Sequence, residues 1–585
     1  MRLNKPIIAV STVALLALAA CGGGDGDTGG PPGATNTANE EAGNAGSGQD
    51  PTRTEGPAPE IEGAAEGGTV KVLSVNGLNS MDPSEAYYVN TGSILTNLVT
   101  RQLTQYVYVD GEMVLIPDLA TDLGKPNDDF TEWEFTIRDG VKWEDGSDVT
   151  AEDVAYGIKR SFDRASFPEG AAYSNDYFVN GDTYEGPYKS GEEYAGVVVD
   201  GMTLTLKMAT PFPDMPFWGA FPAIGPIPKG EDDPAEYRNH PWSTGPYKFA
   251  DYKPEQSLTL VRNEFWDPAT DPGRHAYPDS YEMSFDTPTA QIDQLMLQDS
   301  EPATLTYDNV SAPNYPQMSG ENADRLVVGS DPCTFMWYPD YRKITDIKVR
   351  QALAYAYPYL DAIAASGNIE GVTRSVGTNI QPPGIPGREE FNPLPEHEKG
   401  GTDAAKAKAL LEEAGEVGYE INWLYPTDDP LLVDTQKVVK AALEEAGFTA
   451  APVATTLADF STLRADPDTD INVRSGGWCS DWPSGGSWFP PVFETTALEK
   501  EGLGSNYAVF SEKKVDDQID TILASPIEDQ PTLWNELDQS LQEEFFPVFV
   551  TAYGGVAMQH GSGIMGMEVD NTYGMPTWKD IWVQQ

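Results

Sequence analysis

Two segments of this chain end on the same five residues, Leu411-Glu412-Glu413-Ala414-Gly415 and Leu443-Glu444-Glu445-Ala446-Gly447. In each, a run of helix formers stops at glycine, the residue that most readily takes the left-handed backbone closing an α-helix. Thr402-Asp403 supplies the N-cap of the first helix. Between the two, Tyr419 to Tyr425 predicts a strand, which makes the stretch a βαβα run. Elsewhere the pattern is that of hairpins. Val70, Val72 and Val75 mark a first strand just after Gly68. Trp133-Glu134-Phe135-Thr136-Ile137-Arg138 alternates apolar and polar residues before an Asp139-Gly140 turn. Thr150, with Asp153 three residues on, opens a helix to about Arg160. Crossover units and hairpins in one chain confine it to the α/β class with more than one sheet. Its 585 residues suffice for several domains or two large lobes.

The N-terminus reads differently. Arg2 and Lys5 precede an apolar run, Ile7 to Ala20, that is short for a membrane span. It ends in Leu18-Ala19-Ala20-Cys21, followed by three glycines. This resembles the lipobox of bacterial lipoproteins, which implies a signal peptide over residues 1–20 and a lipidated Cys21. The alternative is an ordinary signal peptide that ends near a cysteine. Two acyl chains on one thiol give stable anchoring, and no later stretch reaches the ~18 apolar residues of a second span. Residues 21–67 carry almost no large apolar side chains and read as the lipidated cysteine followed by a disordered tether, with a reach of roughly 37 Å. Within it, Gly24 to Gly29 matches a dinucleotide-binding glycine pattern, but no strand precedes it and no helix follows.

The charges sum to −55. That excludes nucleic acid as partner, since phosphate contacts need clustered Lys and Arg. It also argues against a basic face held on anionic lipid. Cys333 and Cys479, outside a reducing compartment, read either as one disulfide or as two isolated buried thiols. Neither has a Cys or His at ligand spacing, so a metal site is not expected.

Five segments in order then carry a resemblance. Pro117-Asp118-Leu119-Ala120 leads into Trp133 to Trp143, with Glu144-Asp145-Gly146 and Thr150-Ala151-Glu152-Asp153-Val154 behind it. Ser243-Thr244-Gly245-Pro246-Tyr247-Lys248-Phe249 precedes Leu260-Val261-Arg262-Asn263 and Phe265-Trp266. Val349 to Ala356 and Gly477-Trp478-Cys479-Ser480-Asp481-Trp482-Pro483 complete the series. Together they resemble the family 5 solute-binding proteins of ABC importers, the oligopeptide- and dipeptide-binding group, over residues 68 to 585. The paired cysteines look most like lipoprotein versions from high-GC Gram-positive bacteria.

The resemblance implies a two-lobed α/β clamshell of the periplasmic-binding-protein type, with a subdomain inserted in the first lobe. Lobe I would comprise residues 68–110, 236–328 and a return segment 548–585, with the insert over 111–235 and lobe II over 329–547. Hinge crossings are expected near 326–332 and 545–552. Ligand would be buried as the lobes close. Asp481 is implied as the anchor for a peptide's N-terminal ammonium, because a carboxylate in a closed cleft needs a cationic partner. The plainer reading is a solvated aspartate that caps a turn. The loop departs from the usual Asp-Tyr-Pro-Asp-Pro by ending in Ser484-Gly485, which bears on ligand class more than on fold. Trp478, Trp482 and Trp488 surround the same loop, with Trp242 as a further candidate; each is either a wall of the ligand site or a core side chain. A Cys333–Cys479 bridge would pin the loop to lobe II in a structural role. Thr150 and Gly245 read as capping and turn residues.

No catalytic constellation appears. His240, His275, His397 and His560 are scattered, and neither HExxH, a Walker lysine motif nor a nucleophile elbow occurs in the folded region. The reading is therefore a monomeric receptor, not an enzyme and without cofactor, lipid-anchored on the extracellular face of the membrane. It would deliver a small ligand, oligopeptides first, to an ABC permease and its ATPase. An oligosaccharide or other non-peptide solute is the alternative. An extracellular hydrolase or a structural cell-wall lipoprotein is the remote one.

Overall fold

The structure is a computed structural model that describes residues 48–394, 399–499 and 503–585. The expected signal peptide, Cys21 and His397 lie outside the described residues.

Eight strands, numbered here in chain order, build the main sheet: β1 Thr69–Leu73, β2 Tyr247–Lys253, β3 Ser257–Arg262, β4 Ser280–Ser284, β5 Thr304–Thr306, β6 Leu326–Pro339, β7 Val473–Cys479 and β8 Phe549–His560. Side by side they run β7-β6-β8-β5-β1-β4-β3-β2, and Arg374–Ser375 pairs with β8 as a ninth strand. β1 is parallel to β4 and β5, as crossovers require, and the other pairs are antiparallel. In β1, Val70 and Val72 turn into the core while Lys71 faces solvent, the period-2 alternation of a half-buried strand.

β6 and β8 are the long strands, and both change lobes part-way. Leu326–Ser330 pairs with Gly555–Gln559, beside a first-lobe core that holds Val72, Tyr281, Val556 and Met558. Thr334–Trp337 pairs with Phe549–Tyr553. There successive side chains feed two separate cores: Trp337 and Phe549 pack with Trp423, and Met336 and Val550 with Trp488 and Trp534. At the change of lobe, Asp331-Pro332-Cys333 stands opposite the single residue Gly554, a β-bulge. A Cβ at 554 would lie 1.6 Å from Asp331 Oδ1, so only glycine lets the two strands pass. The sequence placed residues 548–553 in the returning first lobe. Val548, Phe549, Val550 and Ala552 instead pack in lobe II, and the second crossing falls at Gly554.

Ordered chain also begins before Gly68. Gly48-Gln49 pairs in parallel with Val114-Leu115, and Arg53 Nε donates to the Pro272 carbonyl at 2.9 Å. The tether expected over 21–67 is thus part of the folded body from residue 48. Backbone pairing and polar contacts hold this stretch, so its lack of apolar residues is no bar to order.

The inserted subdomain has its own sheet, Lys125–Pro126, Glu132–Thr136, Thr203–Lys207 and Val197–Asp200, packed on the helix Ala151–Arg160. That helix opens with a full capping box: Asp153 N–H donates to Thr150 Oγ1 at 3.2 Å and Thr150 N–H to Asp153 Oδ2 at 2.9 Å. Buried charges tie the insert to the first lobe. Arg101 Nε lies 2.7 Å from Asp118 Oδ1, and Arg274 Nη1 lies 2.8 Å from Asp118 Oδ2 and 3.1 Å from Asp271 Oδ2. In lobe II the helices Ala404–Ala414 and Pro430–Glu445 end as predicted, with Gly415 and Gly447 at φ +75° and +96°. The strand between them is broken into Glu420–Ile421 and Leu424–Pro426.

Cys333 and Cys479 are opposite each other on β6 and β7 and are joined by a disulfide, 146 residues apart in sequence. Cross-linking so long a loop restricts the unfolded chain and stabilises the fold by about 2–5 kcal/mol. The paired Cys333→Ser/Cys479→Ser variant is expected to unfold at correspondingly lower denaturant concentration. An unchanged midpoint would remove the bridge from the stability argument.

Candidate functional site

The disulfide ends β7 one residue before the loop Ser480 to Ser487, and the loop is pinned at several points. Ser480 N–H donates to the Pro332 carbonyl at 2.8 Å, and Asp481 N–H to Ser487 Oγ at 2.8 Å. Trp478 Nε1–H reaches the Ser487 carbonyl, also at 2.8 Å. Gly485 lies flat against Trp534, where a Cβ would come within 2.2 Å of the indole. The backbone that carries Asp481 and Trp482 is therefore fixed before any ligand is considered.

Asp481 is half-buried, and its Oδ2 accepts hydrogen bonds from two tyrosine hydroxyls, Tyr87 at 3.2 Å and Tyr173. Tyr87 belongs to the first lobe, Tyr173 to the insert and Asp481 to lobe II, so the three meet where the lobes face one another. Burial pushes the Asp481 carboxyl up to about 7, and the two hydroxyl donors oppose that only in part. No cationic side chain among the described residues contributes to holding its charge. Burial and the carboxylate beside them raise both tyrosines well above their ordinary value. A small cavity of about 20 Å³ opens at this point, bounded by Tyr87, Tyr88, Phe221, Asp481 and Tyr573. Such a space holds about one water, so a larger ligand requires the lobes to part.

Trp482 is 2% exposed and sits among the insert's aromatic residues rather than those of lobe II. Its Nε1–H donates to Asp214 Oδ2 at 2.8 Å. Asp214 is buried, which pushes its carboxyl up to about 6 against the hydrogen bonds from Trp482 and Ser484.

The other tryptophans go elsewhere. Trp478 is half-buried on β7 and packs against the lobe II core. Trp488 is fully buried in that core beside Phe489 and Trp534. Trp242 meets Trp143 edge-on at 6.3 Å, and its N–H donates to the Tyr237 hydroxyl at 3.1 Å. Of the five residues singled out from sequence, Asp481 and Trp482 come together at the boundary between the lobes. Tyr87, Tyr173 and Asp214 escaped the sequence reading because their partners lie 394, 308 and 268 residues away, with no local pattern to mark them. No group of His, Cys, Asp and Glu suited to a metal ion occurs among the described residues. Nor is any helix among them long and apolar enough to cross a membrane.

Compared with known proteins, residues 114–499 match the family described as bacterial extracellular solute-binding proteins, family 5 middle. The chain is 22% identical over 469 residues to the periplasmic oligopeptide-binding protein OppA of Salmonella typhimurium, spanning 76% of this chain and 82% of that one. It is 24% identical over 501 residues to the glutathione-binding protein GsiB of the same organism, spanning 80% and 87%. A solved structure, clavulanic acid biosynthesis oligopeptide binding protein 2, superposes with a TM-score of 0.82 at 22% identity over 94% of this chain and 99% of that one. The two share a two-lobed fold.

Proposed function

The chain belongs to the bacterial extracellular solute-binding proteins of family 5, and from that premise we propose that it captures oligopeptides between its lobes and hands them to an ABC permease. The family is one of receptors, not enzymes. The observation that carries the peptide reading is the Asp481 carboxylate, set at the lobe boundary on a pinned loop with hydroxyls around it and no cation among the described residues to pair with. A peptide's N-terminal ammonium supplies both the missing charge and up to three N–H donors. β7 supports the same reading: it is the last strand of the main sheet, paired among the described residues with β6 alone, although its Val473 N–H and Ser475 carbonyl are taken by Asn422 and Arg464. An extended peptide can add to such an edge through main-chain hydrogen bonds. The names of relatives that bind oligopeptides and glutathione are consistent with a peptide-like ligand.

We place the receptor on the outer face of the cell membrane, as a monomer tethered through a lipid on Cys21. Labelling cells with a radioactive fatty acid tests the anchor, with Cys21→Ser as the control that must lose the label. Native mass spectrometry of residues 22–585, purified gently, tests the ligand. Added masses that fragment as short peptides support the reading; a single non-peptide mass replaces the substrate and keeps the receptor.

Protons give a second check. With its lobes together the protein holds a proton on Asp481 up to about pH 7, whereas an exposed aspartate releases it near 3.8. A group whose pKa is raised in this way favours the arrangement that buries it at low pH, and the advantage is lost as pH rises through about 7. An ammonium ligand needs the ionised carboxylate, so binding at pH 6 is expected to release up to one proton, in proportion to the share of free receptor whose lobes are together. Calorimetry in buffers of different ionisation enthalpy reads that number directly. At pH 8 the carboxyl is ionised beforehand while about half of the free peptide's amines are neutral, so the sign is expected to reverse to uptake of about half a proton; in Asp481→Asn the release at pH 6 is expected to be lower by the whole of the carboxyl's contribution.

A further inference from the structure

Trp482 belongs to lobe II by sequence and to the insert by packing. Its ring lies 5.1 Å from Tyr173, 5.9 Å from Phe212 and 6.1 Å from Phe221, centroid to centroid and steeply inclined to each. Edge-to-face packing of this kind adds to the gain from burying the rings. The indole N–H finds its acceptor in the same box, the Asp214 carboxylate. The fit is reciprocal. The Asp214 side chain projects into the turn that follows Trp482, so close to Gly486 that a Cβ there would stand 2.4 Å from Oδ2. One aromatic knob thus enters the insert, and one carboxylate knob enters lobe II. Both contacts are made by protein side chains and main chain alone.

We propose that Trp482 and Asp214 form a latch that holds the two lobes together independently of ligand. Trp482 is then a positioning residue that sets how much of the receptor is open to capture. This rests on the reading that the lobes part and close around a ligand. A receptor whose competent state is a fraction of the whole binds with its affinity reduced by that fraction. Loosening the latch therefore speeds association, which loss of a merely structural contact does not do.

The test uses the full chain with Cys21→Ser and spin labels on Val198→Cys, in the insert, and Leu431→Cys, in lobe II, which are 43% and 48% exposed. The bridged Cys333 and Cys479 take no label. Pulsed electron resonance without added ligand is expected to give a short distance in the parent. In Trp482→Ala a longer distance is expected to gain at least tenfold in its ratio to the short one. Asp214→Ala and Trp482→Phe are expected to shift part of the way, and Asp214→Ala to add little on top of Trp482→Phe, since the two remove one hydrogen bond. Circular dichroism confirms that each variant is folded. Should Trp482→Ala fail to fold, the Asp214→Ala and Trp482→Phe pair decides the matter. Distances unmoved by these substitutions, but moved by tri-alanine or tri-lysine, overturn the latch and leave the receptor. Distances that nothing moves overturn both.

Discussion

Asp481→Ala is expected to weaken binding of a free-amine peptide thirty- to several-thousand-fold, equivalent to about 2–5 kcal/mol. The size of the effect follows from what the substitution leaves behind. With the carboxylate gone, the ammonium is still drawn from water into a boundary whose nearest polar groups are the Tyr87 and Tyr173 hydroxyls, which can accept a hydrogen bond but carry no charge to offset it. Calorimetry on a tripeptide and its N-acetyl derivative separates the charge from the rest of the ligand. The derivative is expected to bind the parent about as weakly as the free amine binds Asp481→Ala. The loss is expected in the dissociation rate more than the association rate, because the contact forms only as the lobes close. Stability is expected to move the other way. A carboxylate without a cationic partner is a cost to the folded chain, so Asp481→Asn should unfold at slightly higher temperature in the absence of ligand. Equal affinity of parent and variant for the free-amine peptide would falsify the anchor.

The largest expected effect on stability lies away from the ligand, in the four buried charges that join the insert to the first lobe. Arg101, Asp118, Asp271 and Arg274 have side chains with 0% exposure. Neighbouring main chain and side chains take up further hydrogen bonds: Arg101 Nη2 donates to the Thr270 carbonyl at 2.8 Å, Arg274 Nη2 to that of Thr96 at 2.7 Å, and Asp271 accepts from Gln105 and Trp266 at 3.1 Å. Burial alone would raise Asp271, yet Arg274 and Arg101 hold it far below the usual carboxylate range. Arg101→Met leaves a carboxylate charge in the interior without enough compensation and is expected to cost about 3–5 kcal/mol. The double variant Arg101→Met/Asp118→Leu is expected to cost less than the sum of the single changes, because it removes a charge of each sign. Chemical denaturation measures both. Additive losses would show that the charges act separately. Because Asp271 is depressed, its contribution is present above pH 4 and is lost as the solution is acidified.

Much of this was legible where the signal is local. Thr150 with Asp153, and Gly415 and Gly447 behind their helices, are capping patterns complete within four or five residues, and they formed as read. The start of the folded body was not legible, because Gly48-Gln49 is ordered by a strand some 65 residues on and carries no apolar pattern of its own. The second crossing slipped to Gly554 for a related reason. No turn or capping residue pattern within residues 548 to 560 marks a change of lobe, and only the pairing with β6 shows where its neighbours change. Within the site, Asp481 and Trp482 stood out through a recognisable loop. Their partners did not: a lone tyrosine such as Tyr87, or an aspartate such as Asp214, looks the same in sequence whether it faces solvent or a carboxylate from the far end of the chain. The same ambiguity covers Trp488, whose burial beside Trp534 no spacing could foretell.

One consequence follows from the way β6 and β8 run unbroken from one lobe into the other. The connection is a hydrogen-bonded ribbon, its two long strands backed at Tyr553 and Gly554 by Arg374–Ser375, so it behaves as a leaf spring and not as a pair of strings. Such a ribbon resists stretching and sideways shear more than flexing out of its plane. Lobes joined in this way are expected to part along nearly a single coordinate, against a restoring force.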